Sequence, residues 1–284
     1  MILFKQASAL EAHLDKLRRQ GESIGFVPTM GALHAGHLSL LKAAGKENGT
    51  VVCSIFVNPT QFNDPSDFEK YPVTIEKDIE LLYQAGCSIL FLPSVEEIYP
   101  NGTNHLPKYD IGFLETLLEG AYRPGHFQGV CQVMHRLLEI VSADNLYMGQ
   151  KDYQQCMVIQ RLLDRTGIST RLHTCPTLRE PDGLAMSSRN TRLSADARQT
   201  ALQLSRELRR IVEEIKPGDC SSLRNRAKQN LEAGGFTVDY VSIADAETLQ
   251  PVSNWDGNRP LVTLVAAFIG GVRLIDNMLI PVRK

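Results

Sequence analysis

Two histidines and two glycines lie in one short run after the first predicted strand, Pro28-Thr29-Met30-Gly31-Ala32-Leu33-His34-Ala35-Gly36-His37. The apolar residues 24–27 predict that strand, and the spacing over residues 38–46 predicts the helix that follows. In a doubly wound sheet, ligands bind where carboxyl ends of strands meet amino ends of helices. Unpaired N–H groups and the helix dipole favour an anion there. The run therefore predicts a phosphate site.

Histidine chemistry distinguishes this run from ordinary phosphate loops, because it contains neither Gly-Lys-Ser/Thr nor Gly-x-Gly-x-x-Gly. An imidazole donates hydrogen bonds and changes its charge near neutral pH. His34 and His37 beside a phosphate would stabilise the charge that moves onto a leaving pyrophosphate. Gly31 and Gly36 let the backbone approach closely. A surface turn with incidental histidines is the alternative, and the position between a strand and a helix favours nucleotide chemistry.

Neutral amide side chains follow two other predicted strands. Asn58 and Gln61 come just after the strand predicted over residues 51–57, and Gln155 lies in the first turn of the helix predicted over residues 153–165. Amides can bind a carboxylate and hydroxyls while leaving the carboxylate's charge free to attack. Any one of these residues alone is more often an ordinary loop residue.

Cations and hydroxyls supply a third set of candidates. Lys151 opens a helix after a strand, between Gly149 and Asp152, and its ammonium is a compact charge suited to phosphate. The polar loop Met-Ser-Ser-Arg at 186–189 offers two hydroxyls and a guanidinium that can wrap a triphosphate. A solvated lysine and a plain interdomain linker are the alternatives for these two segments.

Strands alternate with helices through the first two thirds of the chain, which predicts a doubly wound parallel α/β sheet of the Rossmann-like class. After about Pro176 two helices are followed by three strands. We therefore expect a first domain over 1–176 and a smaller α+β domain over 177–284. The longest apolar stretch, residues 261–269, is far shorter than the ~20 residues that span a bilayer, so it predicts a buried strand.

Composition narrows the classes of partner. The chain has 284 residues, 43% of them hydrophobic, and a formal net charge of -2. Without a basic excess, nucleic acid is not an expected partner.

The first residues carry no basic region followed by a long apolar one, so we expect no signal peptide. The six cysteines are scattered without a Cys-x-x-Cys pair, which favours small buried hydrophobes in a reducing compartment, most simply the cytoplasm.

The run from Val27 to His37 resembles the His-x-Gly-His signature of the nucleotidyltransferase superfamily, which includes class I aminoacyl-tRNA synthetases. The fuller string Val-Pro-Thr-Met-Gly-Ala-Leu-His-x-Gly-His is similar to one family in it, the pantoate–beta-alanine ligases. Four more blocks agree in order and spacing, namely Ser-Ile-Phe-Val-Asn-Pro-Thr-Gln-Phe at 54–62, Arg-Pro-Gly-His-Phe at 123–127, Lys-Asp-Tyr-Gln-Gln at 151–155 and Asp-Gly-Leu-Ala-Met-Ser-Ser-Arg-Asn at 182–190. The resemblance covers the chain from end to end.

The resemblance implies catalytic roles for His34, His37 and Lys151. The residues it assigns to ATP are Met30, Gly31, Ala32, Leu33, His34, Ala35, Gly36, His37, Gly149, Gln150, Lys151, Asp152, Leu178, Met186, Ser187, Ser188 and Arg189. The chain departs from the family at two of these positions. Gln150 replaces a glutamate, which removes one negative charge, and Leu178 stands where Val or Ile is usual.

The same resemblance assigns Gln61 and Gln155 to pantoate, with Gln61 also near beta-alanine and Asn58 as a supporting contact. Mg²⁺ bridging phosphate oxygens is implied as well, with either Asp78 or Asp152 as a candidate protein ligand. Arg123 and His126 match the family, but the sequence gives neither of them a role.

The implied reaction condenses (R)-pantoate with beta-alanine in an ATP-dependent manner, through a pantoyl adenylate, and releases AMP and pyrophosphate. The resemblance further implies a homodimer formed through the first domain, with the domain over 177–284 acting as a lid that excludes water. Two alternatives stay open, namely another small-substrate adenylyltransferase of the superfamily and a non-catalytic nucleotide-binding relative.

Overall fold

The computed structural model describes residues 1–63 and 65–282. The chain divides into two compact units, of which the first comprises Met1–Gln150 with Gln154–Pro176 and the second Lys151–Tyr153 with Thr177–Lys284. The segment 151–153 thus groups with the second unit, whereas the domain expected from the sequence over 1–176 included it.

A six-stranded parallel sheet forms the centre of the first unit within the described residues, in the order β1-β4-β3-β2-β5-β6. Its strands are β1 Ile2–Phe4, β2 Ile24–Thr29, β3 Thr50–Ile55, β4 Ile89–Phe91, β5 Asn145–Gly149 and β6 Arg171–Cys175. All six residues of β3 are buried, as expected for a strand covered on both faces. The α/β class with a doubly wound parallel sheet is confirmed.

The helices up to residue 166 are α1 Ala7–Arg19, α2 Ala35–Glu47, α3 Pro65–Glu69, α4 Ile75–Gln84, α5 Val95–Ile98, α6 Glu119–Tyr122, α7 His126–Val141 and α8 Tyr153–Thr166. The helices that apolar spacing predicts over residues 38–46, 129–141 and 153–165 are confirmed, although α2 and α7 each begin three residues before their predicted starts. The sequence predicted neither β1 nor α1. The sequence also predicts that Thr74 caps α4, and Thr74 is its N-cap residue, but the side chain makes no capping hydrogen bond to the helix.

The order of the strands places a topological switch next to β2. From β2 the chain continues outward through β3 and β4, and it later returns to the opposite side of β2 at β5. Ligands of open α/β sheets bind at the carboxyl ends of the strands beside such a switch. Here those ends lead into the run Met30–His37 after β2 and into the one-turn 3-10 helix Gln150–Asp152 after β5.

The second unit is an α+β unit, as predicted. Its strands are β7 Gly218–Asp219, β8 Thr237–Asp245, β9 Asn254–Trp255, β10 Leu261–Ile269 and β11 Val272–Ile280, and its helices are α9 Ala195–Glu214 and α10 Ser221–Ala233. Strands β11, β10 and β8 pair antiparallel in that order. Helix α9 packs on β10 and β11, and its apolar face shares one buried cluster with Trp255 and the inner residues of the strands.

The cysteines behave as small apolar residues. All six are free thiols, and every one except the half-buried Cys175 is buried. Burial raises the pKa of Cys87 to about 11 and that of Cys131 to about 12. Among the helices within the described ranges, none combines the length and apolar character needed to cross a membrane.

Candidate active site

The loop after β2 turns sharply because two consecutive residues adopt left-handed backbone conformations. Gly31 has φ +80° and Ala32 has φ +48°, the second of which is strained for a residue with a side chain. The Thr29 hydroxyl accepts the Gly31 N–H at 3.2 Å and donates to the Ser54 carbonyl of β3 at 2.8 Å. The start of the loop is therefore bonded to the sheet.

The carboxylate of Asp78 lies against the next two residues of this loop. Its Oδ2 accepts the Ala32 N–H at 2.9 Å, and its Oδ1 accepts the Leu33 N–H at 2.8 Å and the Thr74 hydroxyl at 3.1 Å. The sequence predicted that the loop's N–H groups would be open to phosphate. That prediction is wrong for these two groups, because a carboxylate of the same chain accepts both.

A sequence signal for this contact did exist. Asp78 falls at helical spacing with Ile75, Ile79 and Leu82 on α4, so a charged side chain occupies the apolar face of a predicted helix. A buried charge needs hydrogen-bond partners, and here loop N–H groups supply them. Asp78 is fully buried.

The two histidines form a reciprocal cap at the start of α2. His34 is the N-cap residue, and its Nδ1 accepts the Gly36 N–H at 3.1 Å. The Nδ1 of His37 accepts the backbone N–H of His34 at 3.3 Å, and the two ring centroids lie 4.1 Å apart. The arrangement matches a capping box in which imidazoles replace the usual hydroxyl and carboxylate.

This cap determines the tautomer of both rings. A ring nitrogen that accepts an N–H hydrogen bond carries no proton, so the proton of each neutral imidazole is assigned to Nε2. His34 and His37 therefore each present an Nε2–H donor. Donors of this kind suit developing negative charge, whereas a general base would need an unprotonated Nε2.

Asn58 is buried and bonded within the protein after β3. Its Oδ1 accepts the Tyr99 hydroxyl at 2.9 Å, and its Nδ2 lies 3.1 Å from both the Gly129 carbonyl and Oε1 of Gln61. Because Oε1 of Gln61 accepts from Asn58, the opposite end of the Gln61 amide is fixed as the NH₂ group. That Nε2 lies 3.2 Å from Sδ of Met30, so the structure places Gln61 beside the loop that follows β2.

Arg123 and His126 hold the backbone of Gln61, a role that the sequence did not reveal. Nδ1 of His126 lies 2.8 Å from the Gln61 carbonyl, which can only accept, so Nδ1 carries the proton. Nε2 of His126 then accepts from the Arg123 guanidinium at 3.1 Å. A Cβ built on Gly129 would lie 2.3 Å from the Thr60 carbonyl, so a glycine is needed where α7 contacts the short 3-10 helix Pro59–Gln61.

Gln155 is half-buried in the first turn of α8, where it was predicted. The preceding Gln154 is buried, and its amide nitrogen donates to the carbonyls of Leu114 at 2.8 Å and Leu117 at 2.9 Å. Gln154 therefore fixes the start of α8 to the segment before it. Gln155 stands at the adjoining position of that fixed turn.

Lys151 is held through its backbone within the second unit. Its carbonyl accepts Nδ2 of Asn277 on β11 at 2.8 Å, and its Nζ lies 3.8 Å from Oδ1 of the half-exposed Asp152. Asn277 is itself fixed, because its N–H donates to Oδ1 of Asp276 at 2.7 Å.

Asp276 pairs with Arg179 in the interior of this unit. The guanidinium donates to both carboxylate oxygens, at 2.7 and 2.9 Å, and also to the Gly183 carbonyl at 3.2 Å. Burial raises the pKa of Asp276, and the ion pair opposes that rise. This pair was not predicted, although two polar residues inside an apolar strand, Asp276 and Asn277, were a visible signal.

The polar loop at 186–189 has defined backbone partners. The Met186 N–H donates to the Leu178 carbonyl at 3.1 Å, which joins two residues that are predicted to contact ATP. The Ser187 hydroxyl accepts the Arg189 N–H at 3.2 Å and caps the short 3-10 helix Ser188–Arg192. Leu178 keeps 39% of its surface exposed, which suits a residue expected to contact a ligand.

The two alternative metal ligands, Asp78 and Asp152, each have a partner in their own unit. Asp78 faces the loop N–H groups, and Asp152 pairs with Lys151. Within residues 1–63 and 65–282, no group of three or more His, Cys, Asp or Glu side chains could hold a metal ion.

Comparisons with known proteins agree with these motifs. The model of the family described as Pantoate-beta-alanine ligase matches residues 2–279. A pantothenate synthetase of Bacteroides thetaiotaomicron is 44% identical over 270 residues, which cover 95% of each chain. One of Cytophaga hutchinsonii is 44% identical over 283 residues, which cover 99% of each.

Solved structures of similar proteins extend the agreement to the fold. The crystal structure of pantothenate synthetase from Thermus thermophilus superposes with a TM-score of 0.89 at 41% identity, covering 98% of this chain and 99% of that one. A pantoate-beta-alanine ligase from Francisella tularensis, complexed with beta-gamma ATP and beta-alanine, gives a TM-score of 0.81 at 39% identity, covering 98% and 97%.

Proposed function

The chain belongs to the pantoate–beta-alanine ligase family, and from that membership we infer that it joins pantoate to beta-alanine in an ATP-dependent reaction. The observation that carries the inference is the family match over residues 2–279. The products are pantothenate, AMP and pyrophosphate, formed through a pantoyl adenylate.

The chemistry requires alignment rather than a base in its first step. A carboxylate with an ordinary pKa of roughly 4 is ionised at neutral pH, so it attacks without losing a proton to the enzyme. One oxygen of pantoate bonds to the α-phosphorus of ATP while the bond to pyrophosphate breaks in line. The beta-alanine amine then attacks the acyl carbonyl, loses a proton, and AMP leaves with the electrons of the C–O bond. Holding the reactants in line supplies much of the acceleration.

We propose that His34 and His37 stabilise the departing pyrophosphate through their Nε2–H donors. The cap at the start of α2 supports this role, because it uses the Nδ1 atoms and so directs the ring protons to Nε2. In the same unit we assign ATP contacts to the rest of the run Met30–His37 and to Gly149 and Gln150.

Gln61 and Gln155 are the proposed pantoate ligands, with Gln61 also near beta-alanine. The fixed orientation of Gln61 supports the assignment, since its Nε2 is a donor suited to a carboxylate or hydroxyl oxygen. Asn58 acts in support, and its buried hydrogen bonds indicate that it orients Gln61.

In the second unit we propose that Lys151, Ser187, Ser188 and Arg189 donate to the phosphates of ATP. Asp152, Leu178 and Met186 complete the proposed nucleotide contacts. The fixed backbone of Lys151 and the capped turn after Ser187 support these roles. The function of this unit as a lid stays a prediction, and slower proteolysis of residues 177–284 with ATP and pantoate present would support it.

Mg²⁺ would neutralise phosphate charge on the bound ATP. Asp78 fits a metal poorly, because both its oxygens already accept loop or side-chain donors. Asp152 is half-exposed and stays the candidate protein ligand. A cytoplasmic location and a homodimer formed through the first unit are proposals from the family resemblance, and light scattering in solution tests the second.

Pantoate-dependent exchange between ATP and radiolabelled pyrophosphate tests the function directly. We expect exchange that requires pantoate and does not require beta-alanine, because the adenylate forms before the amine is used. Exchange without pantoate would instead indicate another adenylyltransferase. No exchange from a folded protein that still binds ATP would indicate a non-catalytic relative.

A further inference from the structure

We propose that Asp78 is a positioning residue for the adenylation step, and that it acts by holding the loop that leads into His34. The proposal rests on the proposed function, since it assumes that His34 and His37 act on ATP. It assigns Asp78 a role other than metal binding.

The loop is folded around the Asp78 carboxylate in the manner of an anion-binding nest. Successive N–H groups of Ala32 and Leu33 point at one anion, across 46 and 45 residues of sequence respectively. Gly31 and Ala32 must adopt positive φ for these N–H groups to converge. The anion in this nest is the enzyme's own side chain.

Little space separates the loop from the carboxylate. A Cβ built on Gly31 would lie 3.1 Å from Oδ2 of Asp78 and 3.1 Å from Cγ2 of Ile55. The strained φ of Ala32 persists because the surroundings hold it, and Asp78 supplies two of the hydrogen bonds that do so.

Leu33 connects this nest to the histidines. Its N–H is fixed at 2.8 Å from Asp78, and the next residue, His34, is the N-cap of α2. The N–H of His34 in turn donates to Nδ1 of His37. A displaced loop would therefore move both rings, and a misplacement of about 1 Å can reduce an enzymatic rate on the order of 100-fold.

Metal binding is the competing role for Asp78, and the geometry disfavours it. Oδ1 already accepts two hydrogen bonds, from Leu33 and Thr74, which use both of its lone pairs. Mg²⁺ demands near-octahedral oxygen ligands and usually keeps several waters. A fully buried carboxylate offers little room for them.

The test compares Asp78→Asn with Glu76→Gln, which removes an exposed carboxylate from the same helix. The asparagine is isosteric, but its NH₂ must face one of the two loop N–H groups, so one hydrogen bond is lost. We expect pantoate-dependent exchange to fall by at least about tenfold in kcat at saturating substrates, with an unchanged Mg²⁺ concentration for half-maximal rate. Glu76→Gln should match the parent protein.

Magnetic resonance supplies a readout that does not depend on turnover. The ¹⁵N signals of the His34 and His37 rings and the amides of Ala32 and Leu33 should shift in Asp78→Asn and not in Glu76→Gln. If the parent protein shows no exchange, the proposed function fails, while these shifts still report whether Asp78 holds the loop.

Two results would overturn the proposal. One is an Asp78→Asn protein with parental kcat and unshifted histidine signals. The other is a variant whose rate is restored by roughly tenfold more Mg²⁺, which would make Asp78 a metal ligand. Should Asp78→Asn fail to fold, Thr74→Val removes one donor to the carboxylate, and a several-fold loss of kcat with unchanged Mg²⁺ dependence is then expected. Parental kcat in folded Thr74→Val would refute the role.

Discussion

At the scale of single residues, each imidazole of the loop performs two tasks with its two nitrogens. Nδ1 accepts a backbone N–H and so stabilises the start of α2, while Nε2 carries the proton that we propose is donated to phosphate. A substitution that keeps the capping acceptor at the position of Nδ1 but removes the Nε2–H donor can therefore separate the structural role of a histidine from its proposed chemical role.

Asparagine at position 34 makes that separation. Its amide oxygen can replace Nδ1 as acceptor of the Gly36 N–H, and it is a favourable N-cap residue. We expect His34→Asn to keep the parental melting temperature and to lower the exchange rate by about 10²–10³-fold, the usual effect of removing one charge-stabilising donor. His34→Ala should lose the activity and also about 0.5–2 kcal/mol of stability.

The exposed His105 gives the control, and His105→Ala should change neither quantity. A near-parental exchange rate in His34→Asn would contradict the donor role of Nε2. Equal melting temperatures for the alanine and asparagine variants would contradict the cap.

Buried thiols make the stability of the folded protein depend on pH in the alkaline range. Burial raises the pKa of Cys87 to about 11 and of Cys131 to about 12, above the ordinary thiol value of about 8.5. The unfolded chain therefore loses these protons first as pH rises, so the folded state is stabilised below about pH 8.5 and loses stability towards pH 11–12.

Urea denaturation at pH 8 and pH 10 measures this effect. The free energy of unfolding should fall between the two values, and the fall should shrink in Cys87→Ala/Cys131→Ala. An equal fall in the double variant would assign the pH dependence to other groups.

At the scale of elements, the contact between α7 and the turn Pro59–Gln61 fixes the proposed pantoate ligand. Gly129 allows the backbones to approach so closely that a Cβ there would lie 2.3 Å from the Thr60 carbonyl. Helix α7 also contributes His126, which bonds the Gln61 carbonyl. Displacing this helix should thus disturb the position of Gln61.

Gly129→Ala tests that dependence. We expect a loss of about 1–3 kcal/mol in stability, typical of overpacking, together with a higher KM for pantoate. Gly45→Ala on α2 is the matched control, since its new Cβ would lie 4.0 Å from Val51 Cγ2 and fits without strain. A raised KM in the Gly45 variant, or none in the Gly129 variant, would contradict the argument.

At the scale of the whole molecule, the Arg179–Asp276 pair joins segments far apart in sequence. Asp276 accepts the N–H of Asn277, whose side chain donates to the Lys151 carbonyl. Arg179 also donates to the carbonyl of Gly183, which precedes the loop at 186–189. Removing the arginine leaves a buried carboxylate without its cationic partner, and a broken buried pair typically costs about 3–5 kcal/mol.

Arg179→Ala should therefore lower the melting temperature far more than Arg198→Ala. Arg198 pairs with Asp182 where both side chains are about one-third exposed, at 34% and 32%, and such pairs contribute little. Calorimetry of the two variants makes the comparison, and equal losses would show that burial of Asp276 does not matter.

The sequence predicted the secondary structure well, because the spacing of apolar residues within a short segment distinguishes a helix from a strand. The strands predicted over residues 24–27 and 51–57 correspond to β2 and β3, and the helix predicted over residues 153–165 corresponds to α8, whereas β1 and α1 were not predicted. The partners of Asp78 and Asp276 were not predicted, because they lie 46 and 97 residues away and no local pattern encodes them. The proposed site residues came from motifs, whereas the residues that hold them came from the structure.

The occupied nest has a consequence for ligand design. Because Asp78 accepts the N–H groups of Ala32 and Leu33, a nucleotide bound as we propose would contact a loop whose backbone is already fixed, and less conformational entropy would be lost on binding. A competing inhibitor gains nothing from an anionic group aimed at the N–H groups of Ala32 and Leu33, since a carboxylate is already there. Affinity should instead come from acceptors directed at the two imidazole Nε2–H groups.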